Sequence, residues 1–153
     1  MRYRTALLTA IAVASAAAAA VSTATAQRAG APTVQVGQTK IGRILVDAHG
    51  RTLYFFTSDT SHIQCTSAVG CTALWPPLLV TGNPIAGPGV NSKLLGTIHR
   101  SKPTGLQVTY NHHPLYRYKY DAKPGDIKGQ GEYNYWFALA LSGKPNEKPA
   151  PAP

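Results

Sequence analysis

The chain has 153 residues, with 15 Lys or Arg, six Asp or Glu and five His, for a formal net charge of +9. That length admits one modest domain, burying roughly two-thirds of its unfolded-chain surface. The basic residues are scattered, with no run beyond two, which argues against nucleic acid as a partner. The only methionine is Met1, which argues against a soft Cu(I) site.

At the N-terminus, Arg2 and Arg4 precede an uncharged, Ala-rich stretch over residues 6–21, and Ala24-Thr25-Ala26 supplies a small-x-small cleavage pattern. Residues 1–26 therefore read as a signal peptide cut before Gln27, placing the protein outside the cytoplasm, secreted or in the cell envelope. A retained anchor is the rival reading. Ala gains little from entering hydrocarbon, so no stable membrane span is expected after cleavage. Loss of Arg2 and Arg4 leaves a net +7. Residues 27–33 read as a flexible N-terminus and 34–143 as the folded domain. Residues 144–153, "KPNEKPAPAP", read as a disordered or polyproline-like tail.

Within the domain, helical periodicity is missing. Short runs rich in Val, Ile, Leu, Tyr and Phe recur between Gly, Pro, Asn and Asp, the pattern of strands and turns. "GRILVDAHGRTLYFF" (42–56) and "GLQVTYNHHPLYRYKY" (105–120) each read as strand, turn, strand. An ungapped overlay 62 residues apart sets Ile44 on Leu106, Val46 on Val108, Leu53 on Leu115, Tyr54 on Tyr116 and Asp59 on Asp121. Each copy then runs through a Gly/Pro/Ser-rich loop to a tryptophan strand, at Trp75 and at Trp136. "LLGTIHR" reads as a further strand pairing with residues 106–110. The expectation is an all-β fold of antiparallel sheets, built from two duplicated meander or hairpin units over about 41–80 and 94–141. Cys65 and Cys71, in "CTSAVGC", are expected to form a disulfide that pins one loop.

Two copies of Tyr-x4-Asp, together with "CTSAVGCTALWPPLLV", "AGPGV", "LLGTI", "QVTYN" and "PGDIKGQG" in fixed order, resemble the bacterial secreted-repeat family, often lipoproteins. The resemblance spans about residues 41–139. It implies secretion and a duplicated β domain, and implies no activity. Two departures stand out. The lipobox Cys of many relatives is absent, so membrane tethering does not carry over. Where relatives tend to show Gly-Gly before the last Trp, this chain has Tyr133-Asn134-Tyr135.

Tyr54, Asp59, Trp75, Tyr116, Asp121 and Trp136 are the candidate binding residues. Asp lies an odd number of positions from its Tyr, so within one regular strand the two face opposite ways and do not bond. The structural expectation is an aromatic core stripe, plus an Asp that accepts backbone N–H bonds from the following loop. Against it stands a pseudo-twofold that brings Asp59 and Asp121 together as a carboxylate-dyad hydrolase. Copy two breaks the hint of an acid-protease motif, reading "DAK" where copy one reads "DTS". Histidines at equivalent turns, His49 and His112, with His113, are the candidates for a Zn or Cu(II) site. The leading function is a non-enzymatic envelope binding or structural module whose diffuse charge favours anionic polymers or lipid headgroups. An extracytoplasmic metal or redox accessory protein is the alternative.

Overall fold

The computed structural model describes residues 33–60 and 62–151. The signal-peptide assignment and all but Thr33 of the expected flexible N-terminus lie outside the described residues. Among the described residues, eight strands carry the fold: β1 (Val34–Thr39), β2 (Gly42–Asp47), β3 (Tyr54–Phe56), β4 (Leu79–Val80), β5 (Leu95–Ser101), β6 (Thr104–Tyr110), β7 (His113–Pro114) and β8 (Trp136–Ala138). Among the described residues, one short α-helix, α1 (Cys71–Leu74), and two 3₁₀ turns, Ser92–Leu94 and Glu132–Asn134, interrupt them. All named strand pairs are antiparallel. β1 pairs with β2, β3 with β8, and β6 lies between β4 and β5 with β7 also on it. The expected all-β duplicated architecture is what forms, and "LLGTIHR" pairs with β6 as its alternation implies.

The two copies exchange strands. Tyr54 of copy one is registered on Ala138, two residues past Trp136 of copy two. Reciprocally, Tyr116 bridges Pro77, two residues past Trp75. The pseudo-twofold passes between Tyr54 and Tyr116, whose backbones exchange two N–H···O bonds of 2.9 Å. Each tyrosine strand is thus closed by the other copy's tryptophan strand, and neither copy completes its ladder alone.

Backbone bonds correct the ungapped overlay upstream of the turn. Leu45 accepts from Leu53 N–H and donates to Leu139 O; Val108 does the same toward Leu115 and Leu78. Leu45, not Val46, is therefore the counterpart of Val108, and Ile44 that of Gln107. The cause is one extra residue in the first turn. Copy two closes through Asn111 and His112, both at positive φ, between the paired Tyr110 and His113. That is the two-residue geometry whose twist matches the strands. Copy one uses a longer turn built on buried Asp47, whose Oδ1 accepts from His49 N–H at 2.8 Å and Arg51 N–H at 3.0 Å. Burial raises the Asp47 pKa, but those N–H bonds and the cations Arg117 and Arg51 outweigh it and hold the carboxyl below its usual value.

The core is two layers of side chains. Val34, Leu45, Leu53, Phe55, Leu78, Val108, Tyr110, Leu115 and Leu139 form one cluster; Tyr54, Trp75, Tyr116, Tyr118, Trp136 and their neighbours form the other. Cys65 and Cys71 are joined as expected. The Pro-rich segment, expected to be disordered, instead docks at its start. Asn146 N–H donates to Ala138 O at 2.8 Å, its Nδ2 to Ile41 O at 3.2 Å, and buried Gln130 Nε2 reaches Asn146 O and Lys148 O. Asn146 supplies the specific polar contacts that the Pro-rich composition of this tail hides.

Tyr133 and Asn134 both sit at positive φ (53° and 60°). Tyr133 is 71% exposed, so its ring offsets little of the left-handed strain. Tyr133→Gly should therefore stabilise the fold by about 1 kcal/mol, read as a higher denaturation midpoint at unchanged slope. Replacing Cys65 and Cys71 by Ala should lower stability by about 2–2.5 kcal/mol from loop closure, plus a packing loss at buried Cys65. The far-UV spectrum should keep its strand signature.

Candidate functional site

The motif residues converge on the pseudo-twofold. Tyr54 and Tyr116 are fully buried, as are Trp75 and Trp136 to within a few per cent. The two indoles stack face to face, 3.8 Å between centroids and 2° from parallel. Each tyrosine ring meets its own copy's tryptophan edge-on, Tyr54 on Trp75 at 5.4 Å and Tyr116 on Trp136 at 5.2 Å. Gly129 is required beneath this stack: a Cβ there would lie 2.7 Å from Trp75 Cη2 and 3.0 Å from Tyr118 Cγ.

The carboxylates bond across copies. Tyr54 Oη donates to Asp121 Oδ2 at 2.6 Å, and Tyr116 Oη donates to Asp59 Oδ2 at 2.5 Å. The parity that forbids a Tyr–Asp bond within one strand is satisfied by swapping partners. Each Asp uses its other oxygen on the loop it begins. Asp59 Oδ1 accepts from Gln64 N–H at 2.6 Å and Cys65 N–H at 3.4 Å, and Asp121 Oδ1 accepts from Lys128 N–H at 2.9 Å. The two Asp therefore face opposite tyrosines and their own loops. Burial and the paired carboxylates push both phenols above the ordinary tyrosine range. Burial likewise raises Asp121, although the Tyr54 hydroxyl and the Lys128 N–H work against it.

Of the candidate histidines, His49 and His113 stay apart from this centre, while His112 shares a small cavity with Asp59. His49 is exposed beside Asp47, His112 is exposed at its turn, and His113 lies against the Phe55 ring at 4.7 Å. Burial and His112 lower the His113 pKa. Among the described residues, no group of three or more His, Cys, Asp or Glu is placed to hold a metal ion.

Sequence reasoning passed over Arg100 and Gln107. Arg100, 5% exposed, donates through Nη1 to Gln107 Oε1 at 2.6 Å and Tyr116 Oη at 3.3 Å, and through Nη2 to Cys65 O at 2.5 Å. Gln107 Nε2 in turn donates to Leu115 O at 2.8 Å. A signal existed: Gln107 occupies the place of Ile44, and a polar residue at an apolar position of a repeat announces a buried partner.

A family model described as a secreted repeat of unknown function matches the chain twice, at residues 35–79 and 98–140. The chain belongs to that family. Its two matched repeats coincide with the two strand-exchanging halves, so the family unit and the structural unit are the same. No curated protein and no solved structure matched the chain. Among the described residues, no helix is long and apolar enough to cross a membrane.

Tyr54→Phe and Tyr116→Phe should each cost about 1–3 kcal/mol, because a buried carboxylate loses its donor while the ring volume stays. Alkaline melts report the same bonds. Both phenols titrate higher in the fold than the unfolded value of about 10, so their contribution is complete below pH ~10 and is lost as pH rises above it. Wild type should lose stability above pH 10 more steeply than the Tyr54→Phe/Tyr116→Phe double variant, a difference that cancels lysine titration.

Proposed function

We propose that this secreted protein is a non-enzymatic binding module of the cell envelope, held rigid by its own motif and drawn to anionic envelope polymers or lipid headgroups. The observation that carries the reading is the crossed pair of Tyr–Asp bonds. All six motif residues are buried in the junction between copies, and each carboxylate has both oxygens engaged within the fold. A catalytic pair needs carboxylates presented to a substrate and to each other; these are turned to tyrosines and loop amides. Function then falls to the surface, where positive charge dominates and attracts anions with a strength that salt screens.

Retention on beads carrying poly(glycerol phosphate) tests this. The exported protein should bind at about 20 mM salt and be released by about 0.5 M, where the Debye length falls to a few ångströms. No retention at low salt overturns the reading. Asp59→Ala and Asp121→Ala should lower the melting temperature by similar amounts and leave retention by the folded protein unchanged. Loss of retention without a change in melting would make the motif a site instead.

A further inference from the structure

One cleft breaks the pseudo-symmetry. It lies between the loop after Asp59 and β5, has a volume of about 290 Å³, and is lined by His62, Ile63, Thr66, Ile98, His99, Arg100, Ser101 and Lys102. No carboxylate lines it. Its floor is Arg100, whose four hydrogen bonds all go to neutral acceptors: Gln107, Tyr116 and the carbonyls of Cys65 and Lys102. Among the described residues no carboxylate forms an ion pair with Arg100, and its buried Nε has no partner. Asp59 lines a smaller cavity that shares His62, Ile63 and Ile98 with this cleft, but both its oxygens are engaged, by Tyr116 Oη and by loop N–H groups.

The equivalent place in copy one is built differently. Lys40 occupies the same hairpin turn as Lys102, since Thr39–Gly42 and Ser101–Thr104 are paired alike. The cleft there is lined by Lys40, Gly125, Asp126, Ile127, Lys128, Ala150 and Pro151. Asp126 pairs with Lys128 at 3.9 Å, and Ala150 and Pro151 of the C-terminal segment form part of the wall. Gln38 stands 62 residues before Arg100, so no buried cation underlies it.

A buried guanidinium without a facing carboxylate is costly, and an anion held beside it offsets that cost. Lys102 and His99, both exposed, add donors at the rim, and the lysine makes its bond charge-assisted. We infer that the cleft between residues 62–66 and β5 binds a small oxyanion of the phosphate kind. This deepens the envelope-binding reading and rests on it, naming the place where the anionic group seats.

Titration calorimetry on the exported chain with inorganic phosphate tests the site at constant ionic strength. Saturable binding is expected. The Lys102→Ala/His99→Ala variant, altered only at exposed positions, should weaken it by about tenfold or more, the size of one lost charge-assisted bond. Lys40→Ala, at the equivalent turn of the other copy, should leave it within about twofold. Glycerol 3-phosphate and a glycerol phosphodiester, run in parallel, separate a free phosphomonoester from a polymer linkage; saturable binding of either, with the same variant pattern, supports the site. Two results overturn it: absence of saturable binding by all three probes, or equal weakening by Lys40→Ala. If the protein is still retained on poly(glycerol phosphate) beads, only the cleft falls and diffuse attraction stands. If retention fails while phosphate binds, the cleft stands and the polymer reading falls.

Discussion

The structure depends on a pair of crossed hydrogen bonds. A tyrosine hydroxyl from each half of the chain reaches the aspartate of the other half. Around that crossing, the same exchange is written in the backbone, where each tyrosine strand pairs with the other half's tryptophan strand. A half built alone would carry an unpaired strand edge and a buried carboxylate without its donor, both heavily penalised. Folding of the two halves is therefore coupled, and the family repeat has to be read as half of a domain rather than as a domain.

Much of the scaffold was legible because its signals are local. Alternation and turn residues announced β2, β3, β5 and β6, and Tyr-x4-Asp announced the duplication. The partner swap was not legible. Parity within one strand correctly denied a Tyr–Asp bond there, but only the three-dimensional crossing of copies decides where the hydroxyl goes. The overlay slipped by one residue upstream of the turn for a related reason. An ungapped match keeps Leu53 on Leu115 and Tyr54 on Tyr116, yet the Asp47 turn is one residue longer than the Asn111-His112 turn, and the error flips the facing of Leu45 and Val46. Docking of the tail escaped because Asn146 and Gln130 make specific polar contacts that composition does not encode.

The motif also explains why so much aromatic mass sits at the junction. Two stacked indoles meet on the pseudo-axis, where a symmetric interface brings like residues together, and a large flat ring is the side chain that self-packs there. The close fit over Gly129 leaves no room for even a methyl group. Disulfide and loop-anchoring carboxylates then fix the loops that leave this centre.

Duplication supplies both copies of the Tyr, Asp and Trp that make the crossing, while residues outside the motif differ between the halves. Arg100 illustrates the consequence. Its position in copy two reinforces the Tyr116–Asp59 pair, while the Tyr54–Asp121 pair manages without a guanidinium and uses the Gly129 N–H at 3.3 Å instead. The arginine is thus dispensable to the motif as such. Its placement under a cleft that no carboxylate lines, where the counterpart cleft holds Asp126 among its lining, is a point at which the two halves diverge in charge rather than in fold. On the reading proposed above, divergence of that kind between halves that share a scaffold puts specificity on the cleft rather than on the buried Tyr–Asp crossing.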